Sequence, residues 1–125
     1  MNKDKLAQFE GQKYISVRTF KKNGQGVDTP VWFAESDGVF YFYTLESAWK
    51  IKRIRNNPKV QVAPCTVRGR VTGEWVDGTA RLIESAEARQ ADEMITRKYG
   101  WQKRIGDFFS KFRKDKRVFI AIQVN

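Results

Sequence analysis

Apolar and polar residues alternate along several segments of this chain, and that spacing predicts a protein built mainly from β-strands. The first such segment, 13–19, has Ile15 and Val17 on one face and Ser16 and Arg18 on the other. We therefore predict a strand with one face in water. Further strands are predicted over 27–35, 39–44, 60–67, 71–83 and 117–124.

Two segments change to the wider spacing of apolar residues that is typical of helices. The first covers 47–56 and ends where Pro58 disfavours helical backbone in the residue before it. The second covers 86–99, with Ser85 as the predicted N-cap. A further helix is predicted around 103–112.

Short strands joined by turns, with helices inserted late, indicate a small antiparallel barrel of six strands. Pro30 lies inside the second predicted strand and indicates a bulge or an edge position there. The length of 125 residues fits one domain over residues 1–125. The predicted fold class is therefore mainly β with inserted helices.

The charge balance favours an anionic partner. The chain has 24 lysines and arginines against 14 acidic residues, a net charge of +10. Nucleic acid, a membrane surface or a phosphorylated small molecule would each suit this charge, and so would simple solubility. Charge alone does not choose among them.

The absence of histidine excludes several kinds of active site. No Ser-His-Asp triad or Cys-His pair can form, and the single cysteine, Cys65, cannot build a thiolate metal cluster. If the protein is an enzyme, a bound cofactor is expected to carry the chemistry. No apolar stretch is long enough to cross a bilayer and the first ten residues do not read as a secretory signal, so a cytoplasmic location is expected.

The segment 43–58 combines a strand end, a short loop and a basic helix, and it is the candidate anion site. Thr44 and Ser47 would offer hydroxyl donors at the start of the helix, where backbone N–H groups are free. Lys50 and Arg53 are three residues apart and project from one side. Together these groups would hold a phosphate. The alternative is a solvated amphipathic helix whose cations only face water.

The chain resembles a known family, the pyridoxamine-5′-phosphate-oxidase-like, FMN-binding split barrels. Within that family it looks most like the small oxidoreductases that use FMN or the deazaflavin coenzyme F420. The matching segments, in order along the chain, are 14–20 (YISVRTF), 29–33 (TPVWF), 44–58, 63–65 (APC), 69–73 (GRVTG) and 78–81 (GTAR). They span about the first two thirds of the sequence.

The resemblance implies a split β-barrel that forms a homodimer, with one flavin-like cofactor per subunit near the dimer interface. By the family pattern, the cofactor phosphate would be surrounded by Thr44, Ser47, Lys50 and Arg53. The tricyclic ring would lie beside Thr29, Pro30, Val31 and Trp32. The substrate-phosphate residues of true pyridoxamine-phosphate oxidases have no match that can be placed here, and no catalytic residue stands out.

The leading functional hypothesis is therefore an oxidoreductase that transfers a hydride between FMN or F420 and an organic substrate. Two alternatives stay open: a small basic barrel that binds single-stranded nucleic acid, and a flavin-binding protein without turnover. The basic segment 97–117 is either a solvated surface or a wall of the cofactor site. Its charge would suit F420, which carries a phosphate and a polyglutamate tail, and it would suit nucleic acid too.

Overall fold

The computed structural model describes residues 3–100, 102 and 116–125, and their main feature is one antiparallel sheet of seven strands. The strands are β1 (Tyr14–Phe20), β2 (Gly26–Val31), β3 (Ala34–Ser36), β4 (Val39–Leu45), β5 (Lys59–Cys65), β6 (Val76–Ile83) and β7 (Arg117–Val124). The helices are α1 (Lys3–Ala7), α2 (Trp49–Asn56) and α3 (Ser85–Tyr99). The strand order is β2-β1-β5-β6-β7-β4-β3, and every neighbouring pair is antiparallel.

The sheet is curled into an open barrel. Its two edge strands, β2 and β3, are consecutive in sequence and are joined by Trp32 and Phe33 alone. A flat sheet of this order would separate its edges by about 29 Å, whereas the connection reaches at most about 11 Å. The edges must therefore approach each other without forming a ladder, which gives a split barrel. The predicted fold class is confirmed, with seven strands instead of six.

The predicted single strand over 27–35 is wrong, because the chain leaves the sheet at Trp32 and Phe33. The Trp32 ring stacks on the Tyr99 ring, with centroids 4.5 Å apart and an interplanar angle of 11°. The backbone N–H of Phe33 donates to the Tyr99 hydroxyl at 3.0 Å. The α3 residue Tyr99 thus replaces a ladder partner, and the predicted strand becomes β2 and β3.

The predicted long strand over 71–83 is also shorter in the structure, because the sheet resumes only with β6. Val71 forms one isolated bridge with Cys65. Beyond it, the side chain of Gln8 satisfies the backbone of Glu74: Gln8 Nε2 donates to the Glu74 carbonyl at 2.9 Å, and the Glu74 N–H donates to Gln8 Oε1 at 2.8 Å. A residue just after α1 therefore takes the place of a strand neighbour.

The core lies inside the curled sheet. Its largest fully buried side chains include Phe33, Phe40, Phe42, Ile15, Ile120 and Ile122, whereas Ile95 of α3 belongs to a separate buried cluster with Ala34 and Tyr99. On the opposite face of β1, Ser16 was predicted to be in water but is completely buried. That prediction is wrong because β1 is an interior strand, in which Ser16 is opposite Pro30 on one side and Ala63 on the other.

The two predicted helices within the described residues are present, with shifted starts. The first begins at Trp49, after Ala48 in extended backbone, and its buried residues are Ile51 and Ile54. In the second, Glu84 occupies the N-cap position and Ser85, the predicted cap, is the first helical residue, with φ of 56°. The helix predicted around 103–112 lies outside the described residues.

Among the helices of the described residues, none combines the length and the apolar character needed to cross a bilayer.

Candidate functional site

Two cations of α2 lie against hydroxyl groups at the ends of two strands. The Lys50 ammonium donates to Thr44 Oγ1 at 3.4 Å, near the end of β4. The Arg53 Nε–H donates to Thr19 Oγ1 at 2.6 Å, near the end of β1. These positions follow from the packing of α2, because Ile51 and Ile54 are buried and fix the helix on the sheet. We call Thr19, Thr44, Lys50 and Arg53 the cation cluster.

The cation cluster has no compensating negative charge among the described residues. Burial lowers the pKa of Lys50, and the nearby positive charge of Arg53 lowers it further. Burial also lowers the pKa of the Arg53 guanidinium. Within the described part of the chain, neither residue forms a salt bridge with a carboxylate. An anion bound between them would relieve both the repulsion and the loss of hydration.

The first turn of α2 adds to this positive potential. Ala48 at the N-cap forms no side-chain cap hydrogen bond, and the turn contains no acidic residue. A helix start without a capping acceptor leaves backbone N–H groups for another acceptor and carries the positive end of the helix dipole. This start favours an anion near it.

Thr19 is a site residue that the sequence analysis did not single out. It lies on the same face of β1 as Ile15 and Val17 and is completely buried, yet its hydroxyl accepts the hydrogen bond of Arg53. The alternation along β1 places a hydroxyl in a row of apolar side chains. That interruption was a signal that a polar partner had to reach the position.

Ser47, grouped with the phosphate residues by the resemblance, lies on the surface. It is exposed and lines a cavity of about 420 Å³ together with Lys52 and Arg55. The residues that line the cavity do not include Lys50 or Arg53.

Thr29 in edge strand β2 lies on the same face as the cation cluster. It is opposite Val17, and Val27, two residues earlier, is opposite Thr19. Since side chains two apart share a face of a strand, Thr29 and Thr19 face the same side. The Thr29 hydroxyl is buried and has no hydrogen-bond partner among the described residues. Such a group costs about 1–3 kcal/mol when it is left unsatisfied.

The other three residues expected beside the ring have separate surroundings. Pro30 is exposed on the outer face. Its ring lies close to Gly69, since a side chain added at Gly69 would place its Cβ 3.6 Å from the Pro30 ring. Val31 is partly buried and packs against the core, and Trp32 is stacked on Tyr99. The segment thus runs from the cation cluster along the edge of the sheet to an aromatic stack.

Chemistry of other classes has little support in the described residues. No group of three or more histidine, cysteine, aspartate or glutamate side chains within them could hold a metal ion. Burial raises the pKa of the Cys65 thiol, which disfavours the reactive thiolate. Tyr41, an aromatic residue of β4, packs on the side of the sheet that α3 covers.

Comparison with known proteins identifies the fold. A family model described as pyridoxamine 5′-phosphate oxidase matches residues 2–125. The structure is similar to the heme storage protein HutZ of Vibrio cholerae, at 14% identity and a TM-score of 0.74, over 99% of this chain and 89% of that one. No curated protein matches the sequence.

Two further solved structures share the fold. A proposed pyridoxamine 5′-phosphate oxidase of Listeria innocua is 18% identical, with a TM-score of 0.65, over 98% of this chain and 92% of that one. An FAD-binding protein of Mesorhizobium loti is 18% identical, with a TM-score of 0.62, over 100% of this chain and 90% of that one. At these identities the likeness establishes the fold alone.

Proposed function

Since this chain belongs to the pyridoxamine 5′-phosphate oxidase family, we propose that it binds FMN or coenzyme F420 and transfers a hydride to or from an organic substrate. The observation that carries the proposal is the uncompensated pair Lys50 and Arg53, with the unpartnered hydroxyl of Thr29 on the same face of the sheet as Thr19, the partner of Arg53. The chain belongs to a family that commonly contains flavin-binding proteins, and these residues match what a phosphorylated ring compound would need.

The cation cluster fits the cofactor phosphate. Lys50 and Arg53 supply two positive charges that are partly desolvated, and Thr44 and Thr19 orient them. Arg53 uses its Nε–H for Thr19, so its terminal nitrogens remain for an anion in the described structure. Charge-assisted hydrogen bonds of this kind are about twice as strong as neutral ones. Ser47, two residues before α2, is also proposed to contact the phosphate through its hydroxyl.

The edge strand β2 fits the ring. Thr29 offers a hydroxyl that needs a partner, and Pro30, Val31 and Trp32 continue along the same edge. The outer side of β2 has no ladder partner in the described residues, so its backbone groups are available to a polar ring edge. When bound, the cofactor supplies the hydride donor or acceptor, while the protein anchors the phosphate and orients the ring.

We also propose that the protein is a homodimer with the cofactor near the interface. An exposed edge strand leaves one side of a bound ring open to water, and a second subunit would cover it. Sedimentation at working concentration should show a dimer, and a protein that stays monomeric with cofactor bound would contradict this part.

The second candidate function is binding of single-stranded nucleic acid, favoured by one observation. Trp49 is 70% exposed on a basic helix, and the Lys52 ammonium lies 5.3 Å from the centre of its ring. Exposed aromatic rings among cations are the usual platform for stacking bases. Binding along several phosphates would weaken steeply with salt, whereas a buried ring with one phosphate would respond weakly.

The test is a titration of the purified protein with FMN and with F420, followed by ring fluorescence. We expect dissociation constants well below about 1 mM, since an anchored phosphate and a buried ring should contribute more than about 4 kcal/mol. Failure of both cofactors to bind would contradict the proposal. The reduced cofactor is then mixed with candidate electron acceptors, and binding without any turnover would leave a non-catalytic flavin-binding protein.

A further inference from the structure

A cavity of about 630 Å³ opens between α1, the start of β3 and the last turns of α3, and we call it the end cavity. Phe33, in its lining, comes two residues after Val31, which is opposite Ile15 near the start of β1. Thr19 of the cation cluster is four residues further along that strand, a distance of about 13 Å. The end cavity therefore lies away from the proposed phosphate site. Its volume is within the range of about 300–1,000 Å³ that small-molecule sites occupy.

One wall of the end cavity is a face of α3. Met94, Arg97 and Lys98 are three and four residues apart, so they lie on one side of the helix. Ile95 and Tyr99 are buried and pack in one cluster with Ala34, the first residue of β3. This packing fixes the side of α3 that faces the cavity, and that side carries two adjacent cations.

Much of the lining of the end cavity is apolar. Six of its ten described residues are of this kind: Leu6, Ala7, Phe9, Phe33, Ala34 and Met94. The rings of Phe9 and Phe33 pack edge to face with centroids 6.4 Å apart, and both residues are buried. Met94 is partly buried, and its flexible thioether side chain fits irregular shapes. The cavity can therefore cover an apolar group of a ligand.

The other described residues of the lining carry charges of both signs. They are two acids and two bases: Glu10, Glu35, Arg97 and Lys98. Their charges sum to zero, although the whole chain has a net charge of +10. None of the four forms a salt bridge with a described residue. Opposite charges that line one cavity without pairing favour a ligand that itself carries both signs.

Lys98 shows most clearly that a counter-charge is missing. Its ammonium lies 3.4 Å from the centre of the Phe33 ring and 5.4 Å from that of Tyr99. Burial lowers the pKa of Lys98 to about 8. The aromatic faces attract the cation but bring no negative charge to it. A carboxylate bound beside Lys98 would supply that charge.

We propose that the end cavity binds a small zwitterion with an apolar side chain, of the chemical class of the free aromatic and large aliphatic amino acids. Its carboxylate lies beside Arg97 and Lys98, its ammonium beside Glu10 and Glu35, and its side chain against the apolar lining. A ligand with one charge gains only half of these contacts and is repelled by the like charges opposite. The binding needs no cofactor, so this inference does not depend on the proposed function.

The test compares three ligands that share a phenyl group, each titrated into the protein without cofactor. L-Phenylalanine carries both charges, 3-phenylpropionate only the carboxylate and 2-phenylethylamine only the ammonium. We expect a dissociation constant below about 1 mM for L-phenylalanine and binding at least about tenfold weaker for each of the other two. The titration is followed by backbone amide chemical shifts, and the amides of Ala34 and Met94 in the lining should be among those that change.

Two double variants assign each ligand charge to its partners. Arg97→Gln/Lys98→Gln should weaken L-phenylalanine about fivefold or more and leave 2-phenylethylamine no weaker, because only the former has a carboxylate. Glu10→Gln/Glu35→Gln should weaken L-phenylalanine by a similar factor and leave 3-phenylpropionate no weaker. All four residues are exposed, so both variants should fold like the wild type.

Glu84→Gln/Arg89→Gln is the matched control, because it removes one charge of each sign from exposed positions outside the end cavity. It should leave all three affinities unchanged. The proposal is overturned if L-phenylalanine fails to bind at about 10 mM, or if either ligand with one charge binds as tightly. It is also overturned if the two charge variants weaken all three ligands alike. None of these results affects the titrations with FMN and F420, so the proposed function stands or fails separately.

Discussion

Arg18 of β1 and Arg53 of α2 lie on opposite sides of β1 and differ in their surroundings. Arg18, on the outer face, forms two hydrogen bonds with Asp28, at 2.7 and 3.0 Å, and its guanidinium lies 3.9 Å from the centre of the Trp75 ring. Arg53 reaches the neighbouring residue on the inner face, Thr19, and has only that hydroxyl as a hydrogen-bond partner in the described structure.

The difference appears in the electrostatics of the two guanidinium groups. The hydrogen bond with Asp28 raises the pKa of Arg18, whereas burial lowers that of Arg53. The same residue type thus has a stabilising partner on one face and an unmet need for an anion on the other. We infer that the outer arginine holds the fold together and the inner one binds a ligand.

The largest expected effect on cofactor affinity comes from removing both cations of the cation cluster. The double variant Lys50→Ala/Arg53→Ala should weaken cofactor binding by roughly 100-fold or more, because each charge-assisted contact contributes about 1.5–3 kcal/mol. Its free energy of unfolding without cofactor should change by less than about 1 kcal/mol, since the loss of the Thr19 hydrogen bond is offset by relief of repulsion. Fluorescence titration and urea denaturation measure the two quantities. Unchanged cofactor affinity would show that these cations only face water on a solvated helix surface.

The outer arginine should give the opposite result. Arg18→Ala should lower the free energy of unfolding by about 1–2 kcal/mol, a value that allows for the solvent screening of a partly exposed ion pair. Cofactor affinity should stay the same. Arg18→Lys is the control, because lysine keeps the charge but cannot form the paired contact with Asp28. A large loss of cofactor affinity in Arg18→Ala would contradict the inference that Arg18 serves stability and Arg53 serves binding.

Substitution of Thr29 should change cofactor affinity less, and it tests whether the inner face also binds the cofactor through a hydroxyl. Thr29→Val keeps the shape of the side chain and removes the unpartnered hydroxyl. We expect the protein without cofactor to be more stable by about 1 kcal/mol and cofactor binding to weaken about fivefold. Thr29→Ser keeps the hydroxyl and should retain the affinity. If Thr29→Val were less stable and bound normally, the hydroxyl would have an internal partner instead.

The smallest effect concerns Lys98, a cation whose pKa is lowered by burial. Its ammonium lies 3.4 Å from the centre of the Phe33 ring, and burial lowers its pKa from 10.5 to about 8, although much of the side chain is exposed. Between about pH 8 and pH 10 the unfolded chain binds more protons at this site than the folded chain does, so stability should rise slightly with pH.

Lys98→Met should remove that slope without changing cofactor affinity. Denaturation at several pH values across this window measures it. Above pH 10 the opposite trend should begin, because burial raises the pKa of Tyr99 from 10.0 to about 12 and the folded state then retains the extra proton. Stability that falls from pH 8 to pH 10 in the wild type would contradict the assignment.

The sequence predicts those parts of the fold and site that depend on local spacing. Alternation identifies β1 and β7, the aromatic residues on both faces identify β4, and the helical period identifies α2 and α3. The hydrogen bond between Lys50 and Thr44 joins residues six positions apart, so a single segment could indicate that pair.

The features that sequence analysis missed depend on residues far apart in the chain. The exit of Phe33 from the sheet depends on Tyr99, and the shortened start of β6 depends on Gln8; each contact spans 66 residues. Thr19 meets Arg53 across 34 residues. Lys21 and Lys22 likewise share a cavity with Arg53 only because the β1–β2 turn is brought beside α2. Spacing along the chain carries no direct signal for such pairs.

We propose that Arg53 on the inner face binds the cofactor phosphate, and a comparison of FMN with riboflavin isolates that contact from binding of the ring. The two ligands share the ring and differ by the phosphate alone. We predict that Arg53→Ala lowers the ratio of FMN to riboflavin affinity by roughly tenfold or more, while riboflavin affinity and the ratio in Arg18→Ala stay unchanged. A ratio that is the same in Arg53→Ala as in the wild type would show that Arg53 does not bind the phosphate.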